Sequence, residues 1–219
     1  MQPVVAKRKQ PGRPKNGNSE ETRFRILEVA VEAFAESGFH GVATRTIAQR
    51  AGVSPSTVYH HFSDKQGLYV KTYRHALNHV YAEYARVIDG HVSVIDELRV
   101  ILQCSLAIMR ARPAISTLIV RAHIDVTDPV LHPMAGTRTA RNFLDGMISR
   151  AQDRGELDPA DAVSLERTIG VFLWGLSVLG CDDDRARQEC VDALDLLLAG
   201  QLLPLPQYRA RAPRRRARG

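Results

Sequence analysis

Thr44-Arg45-Thr46-Ile47-Ala48-Gln49-Arg50-Ala51-Gly52-Val53-Ser54-Pro55-Ser56-Thr57-Val58-Tyr59-His60-His61-Phe62 is the stretch that decides the fold. Ile47, Ala48 and Ala51 share one face of a short helix, Gly52 can take the positive φ of a C-terminal cap, and Val53 turns into the joint. Ser54 caps a second helix whose first residue, Pro55, loses nothing by lacking an N–H. Val58 and Phe62, at i and i+4, point inward. The opposite face offers Pro55, Ser56, Thr57, Tyr59, His60 and His61, small or hydrogen-bonding groups rather than a salt-bridged surface. A helix-turn-helix that lays its second helix in a DNA major groove needs this arrangement.

Working outward, Ser19 with Glu20 and Glu21 starts a first helix carrying an apolar stripe of Ile26, Leu27, Ala30, Ala33 and Phe34. Gly38 ends it, and Phe39 can fold back on Phe34. Ser63-Asp64-Lys65-Gln66 reads as a capping box opening a long fourth helix that joins two domains and closes at Gly90. Ser93 with Asp96 starts a fifth helix ending before Pro113, a sixth runs to about Val126, and a seventh spans roughly Ala135 to Arg154. Asp158-Pro159 opens an eighth, apolar around most of its circumference after Arg167, and Asp182-Asp183-Asp184 leads into a ninth. With no strand alternation, repeat or glycine-rich phosphate loop, the chain reads as all-α with about nine helices.

The 219 residues exceed what one small domain needs, and 44% hydrophobic with 25% charged residues is enough to bury a core. Charge is unevenly placed. Residues 1–18 carry Lys7, Arg8, Lys9, Arg13 and Lys15, residues 204–219 carry six arginines, and neither segment has an acid. The net charge of +6 therefore belongs to two basic tails around a mildly acidic body, which favours polyanion contact by the tails. Cys104, Cys181 and Cys190 lack metal-like spacing and the start of the chain lacks the apolar stretch of a signal peptide, so a cytoplasmic location is expected. The longest uncharged run, Thr168 to Cys181, is too short for a membrane span of about 20 residues.

From Ser19 to Leu68 the chain resembles the DNA-binding domain of the TetR family of bacterial regulators. The resemblance rests on Phe34 and Gly38-Phe39 at the end of the first helix, Ile47-Ala48, Ala51-Gly52-Val53-Ser54, Tyr59-His60-His61-Phe62 and Lys65. It lies within the first third of the chain; the remainder matches only in its succession of helices. It implies an Ω-shaped homodimer joined through helices eight and nine, with helices four to seven enclosing an effector pocket. The implied divisions are a disordered basic arm (1–18), a helix-turn-helix domain (19–67), a ligand-binding and dimerisation domain (68–203) and a disordered Arg-rich tail (204–219).

Carried over position by position, the resemblance assigns Arg45 to a guanine edge or a phosphate, Thr44 to phosphate, and Pro55, Ser56 and Thr57 to base edges. Tyr59, His60 and Lys65 face the DNA backbone. Ala43 stands where the family commonly has Ser or Thr, so Thr44 is expected to take over the cap of the second helix. Tyr59 can also serve as a core-edge ring, and His61 is better read as packing. The face is short of Arg, Asn and Gln, so specificity leans on Arg45, methyl contacts, DNA shape and the arm, where Lys7 to Lys15 resembles an AT-hook with Arg13 at its extended core.

Candidate pocket residues are Cys104, Ile108, Leu118, Ile119, His123, Phe143, Met147, Phe172 and Trp174, implying a small apolar or aromatic effector. His75 and His79 share a helical face without a metal-site partner, and a Cys181–Cys190 redox switch ranks below ligand sensing. No catalytic constellation stands out, and no cofactor or metal is called for. The expectation is therefore a non-enzymatic, ligand-responsive repressor that binds a palindromic double-stranded DNA operator as a homodimer. The rival is a sequence-tolerant architectural DNA-binding protein, which the basic tails would suit.

Overall fold

The computed structural model describes residues 15–88, 92–125, 138–178, 183–199 and 201, leaving aside the side chains of 15–18 and 123–125. The arm with Arg13, the acidic loop's Cys181 and the arginine tail lie outside the described residues. Among the described residues, nine α-helices and one 3-10 turn make up the regular structure, with no strand.

Helix α1 (Lys15–Gly41) begins ahead of the expected start at Ser19, and its regular geometry breaks at Gly38 (φ 68°, ψ −179°) as the glycine required. Phe39 is buried, but its ring partner is Tyr69, 5.2 Å away, which in turn meets Phe34 edge-on at 4.8 Å. Tyr69 belongs to α4 (Lys65–Val87), so the end of α1 is fastened to the helix that leaves the domain. Between them, α2 (Thr44–Arg50) and α3 (Pro55–Phe62) fill the corner with Ile47, Ala48, Val58 and Phe62, each fully or almost fully buried.

Two local expectations need correction. Ser63 does not cap α4; it takes a positive φ of 67°, and Asp64 caps instead, accepting from the Gly67 amide at 2.6 Å. The chain turns too tightly after Phe62 for the capping box to form, and Asp64, extended at φ −148°, is the residue whose carboxylate faces the first turn. Nor does Thr44 cap α2: Ala43 holds the cap position without a side-chain bond, and Thr44 is only 6% exposed.

The remaining helices are α5 (Val94–Ala111), α6 (Pro113–Asp125), α7 (Arg138–Asp153), α8 (Ala162–Val178) and α9 (Asp184–Leu198), with the 3-10 turn Pro159–Asp161 leading into α8. Ser93 and Asp183 cap α5 and α9, and Asp158 caps the turn. Helices α4 and α5 are joined by a buried hydrogen-bond relay: the Tyr84 hydroxyl donates to Ser105 Oγ at 2.7 Å, and Ser105 donates to the Ile101 carbonyl at 2.7 Å. Helix α7 is tied to α5 by Glu97, fully buried, whose carboxylate accepts from Arg150 at 2.8 and 3.2 Å.

One contact fixes where α3 sits on α4. A β-carbon placed on Gly67 would lie 2.3 Å from the Phe62 carbonyl oxygen, a backbone atom that cannot move without shifting α3. Gly67→Ala should therefore lower stability by roughly 1–3 kcal/mol through forced displacement of packed backbone. Urea titration checks it; a variant as stable as the parent would show that the α3–α4 junction is loose.

Candidate nucleic-acid interface and ligand cavities

The exposed side of α3 is organised by its cap. Ser54 Oγ accepts from the Thr57 amide at 3.2 Å and lies 2.7 Å from Ser56 Oγ and 2.8 Å from Thr57 Oγ1. Two of the three positions expected to face bases are thus held in register by one hydroxyl. Pro55 and His60 are exposed, and Tyr59 is 49% exposed, more than a core-edge ring would be. His61 is half-buried beside Phe62; burial, followed by the neighbouring His60 and Arg23 charges, holds its pKa below the ordinary value, in keeping with a packing role.

Arg45 stands exposed at the start of α2 and makes no hydrogen bond or ion pair with a described residue. The contrast with Arg50, bound to Glu36 at 2.9 Å on the same helix, shows which guanidinium is at liberty to meet another partner. Thr44 turns its side chain into the domain, away from the surface shared by the other candidates. Lys65 lies 4.8 Å from the centre of the Phe39 ring, held beside the end of α3. Sequence reading missed Arg23 and Lys71, which both sit over the Phe62 ring, at 5.8 and 5.6 Å, while Lys71 also donates to the His61 carbonyl at 3.3 Å. They add positive charge behind the recognition helix, and no local motif marks them, because Phe62 brings together residues from α1 and α4.

Residues 26–72 match the family model described as bacterial regulatory proteins, tetR family. The chain is also 28% identical over 191 residues to the HTH-type transcriptional regulator BetI of Burkholderia lata, an alignment covering 85% of this chain and 98% of that one. A crystal structure of a TetR-family regulator from a Rhodococcus species superposes with a TM-score of 0.66 at 25% identity, covering 82% and 99% of the two chains. Residues 26–72 carry a DNA-binding domain of the tetR family type. The chain's helix-turn-helix region and its match to named transcriptional regulators mark it as similar to DNA-binding transcriptional regulators. The fold is shared as well with AibR, solved in complex with isovaleryl coenzyme A and operator DNA, at a TM-score of 0.60 and 19% identity over 80% of this chain and 97% of that one.

The expected pocket residues do not gather in one place. An inner cavity of about 450 Å³ lies among α4, α5, α6, α7 and α8 and takes in Ile108, Ile119 and Trp174. An outer cavity of about 630 Å³ lies against α4, α5 and α9 and takes in Cys104, with Ile108 also touching it. Phe172 borders a third space of about 120 Å³ between α5, α8 and α9. Leu118 and Met147 are fully buried, Phe143 packs between Tyr81 and Tyr84 at 5.5 and 5.8 Å, and His123 lies outside the described side chains. The set scatters because apolar residues on one helix face different neighbours, which periodicity alone does not sort.

The inner cavity is also less apolar than expected. Tyr73, Tyr81 and Tyr84 line it with Ser105, Glu166 and Arg141. Burial pushes the Tyr73 hydroxyl up to about 12, and burial with the Glu166 charge raises Tyr81, so these phenols remain neutral hydrogen-bonding groups near pH 7.

His75 is held by Glu28 of α1 rather than standing free with His79: Glu28 Oε1 lies 2.6 Å from His75 Nε2, and Oε2 lies 2.6 Å from Arg112 Nη2. This clamp spans the DNA-binding helices and the C-terminal helices. Burial alone raises the Glu28 pKa, but the His75 hydrogen bond and the Arg112 charge outweigh it and hold it below the ordinary 4.5. With the folded value below the unfolded one, the clamp's stability is complete above about pH 4.5 and lost as pH falls through the folded value. Parent and Glu28→Gln should therefore differ in stability at neutral pH and converge in acid. A gap that stays constant down to the acid transition would remove Glu28 as its source.

Proposed function

We propose that the protein is a repressor that binds a palindromic operator as a homodimer and is released by a small, largely apolar or aromatic effector in the inner cavity. The observation that carries the reading is Arg45, exposed and without a hydrogen-bond or ion-pair partner among the described residues, beside an α3 surface whose Ser56 and Thr57 hydroxyls are pre-set by Ser54. Arg45, Pro55, Ser56, Thr57, Tyr59, His60 and Lys65 form the DNA-facing set, joined by Arg13 from the arm; Thr44, being buried, is left out of it. Residues 19–67 serve as the DNA-binding unit and residues 68–203 as the ligand and dimerisation unit.

Dimerisation through α8 and α9 is supported by an apolar face that the single chain leaves uncovered: Val171 is 67% exposed, and Phe172, Val178, Leu196 and Leu197 accompany it. Such a surface needs a partner. A two-fold pair would present α3 to half-sites about one DNA turn, ~34 Å, or a multiple of it apart. Relatives similar in sequence are named as transcriptional regulators, and AibR was captured with both a ligand and operator DNA, which favours site-specific regulation over architectural binding. An effector that prefers the cavity shape of the DNA-free state releases the operator, and reciprocity requires the operator to weaken effector binding equally.

Arg45→Ala and Tyr59→Ala should each weaken binding to the protein's own upstream DNA about tenfold or more, with the dimer intact, as read by fluorescence anisotropy beside random duplex at equal salt. Unchanged affinity in both variants, or equal affinity for random duplex, contradicts the reading. Val171→Asp should convert the dimer to monomer in sedimentation velocity, and a dimer that survives it would move the interface elsewhere.

A further inference from the structure

The outer cavity differs from the proposed effector site in its walls, its charge and its connections. It opens between α4, α5 and α9, and Ile108 is its boundary with the inner cavity. Its floor is apolar, with Val87, Val100, Leu102 and Val191, while charged groups occupy the rim. At about 630 Å³ it lies within the range of small-molecule sites.

The rim's carboxylates are already neutralised. Glu83 accepts two hydrogen bonds from Arg86, at 2.7 and 3.0 Å, and Asp195 is bonded by Arg99, which also holds Asp96 at 2.9 Å. Arg112 is different. It stands at the end of α5 in a non-helical conformation and spends one of its five N–H donors on a side chain, the Glu28 carboxylate of α1. Glu28 keeps His75 as a second partner, so a new acceptor on Arg112 does not leave a carboxylate stranded. His79 stands on the same rim and makes no hydrogen bond with a described residue.

We infer that this cavity binds a small carboxylic acid with an apolar tail, its carboxylate on Arg112 and His79 and its tail on the floor between α5 and α9. A monoanion fits better than a dianion, because Glu83 and Asp195 border the same space. An organic cation gains nothing from carboxylates that already have guanidinium partners. Since Arg112 also holds Glu28, occupancy of the site is felt at α1.

Cys104 lines this cavity and Cys190 is exposed on α9, so the two thiols make an internal pair for footprinting. The full-length protein is alkylated with N-ethylmaleimide with and without millimolar octanoate, and each cysteine is followed by peptide mass spectrometry. Octanoate should slow Cys104 modification at least fivefold, leave Cys190 unchanged, and bind with a heat measurable by titration calorimetry. Octyltrimethylammonium, of equal tail and opposite charge, should do neither. Arg112→Gln should abolish both effects by removing the charge, and Ala107→Phe should abolish the calorimetric heat by filling the space while Arg112 and its clamp remain. Ala107 is exposed at the rim, so the second variant keeps the fold. The proposal is overturned if octanoate leaves Cys104 unprotected, if it shields both cysteines alike, if the cation protects as well, or if both variants bind octanoate like the parent. None of these readouts involves the operator, so the result stands apart from the proposed repressor mechanism.

Discussion

Everything in this molecule depends on α4 being a single rigid helix that has to satisfy two different surroundings. Its 23 residues span about 34 Å, beginning beside the recognition helix and ending against α5. Tyr69 locks the first part to Phe34 and Phe39 of α1, while Tyr84 locks the last part to Ser105. The same buried core runs from Ile26 and Phe34 through Tyr69 and Ala76 to Ile101 and Ile169, without a gap at residue 68. Under the proposed mechanism this helix would carry a change at the Tyr84 end toward α3, because Gly67 is packed against the Phe62 carbonyl with no room for a β-carbon.

A second mechanical link runs beside it. Helix α6 lies along α1, tied at one end by Arg112 to Glu28 and at the other by Arg121, whose guanidinium reaches the Glu36 carbonyl at 3.4 Å. These bonds are partly exposed, so each is worth about 1 kcal/mol or less. That magnitude suits a regulator. The buried aromatic contacts hold the fold, and the charged ties are weak enough for ligand binding energy to rearrange them.

Much of the fold was legible because local chemistry decides it. Gly38, Ser54, Pro55, Ser93 and Asp158 act where the sequence placed them, as breaker or caps, and the spacing of Val58 and Phe62 put both inward. The cap of α4 was misread because Ser63 and Asp64 are both capping residues, and only the turn's backbone selects between them. The apolar stripe of α8 announced a helix in need of cover, yet nothing in its spacing could say which residues would line a cavity. The Glu28 clamp was out of reach altogether, since its three members come from α1, α4 and the end of α5, 47 and 84 residues apart. Arg45 was legible as a candidate by resemblance, whereas its freedom from local partners is visible only beside the paired Arg50.

Trp174 is the chain's single tryptophan, and it stands at a crossroads. It lines the inner cavity, yet 44% of its surface remains exposed on α8 beside Phe172 and Val178. Under the proposed pairing, one indole touches both a bound effector and the seam between two chains. Effector affinity and subunit affinity are then thermodynamically linked, and saturation by effector becomes a function of protein concentration as well as of effector concentration. A cell that changes the amount of this protein would thereby also change the dose at which it responds.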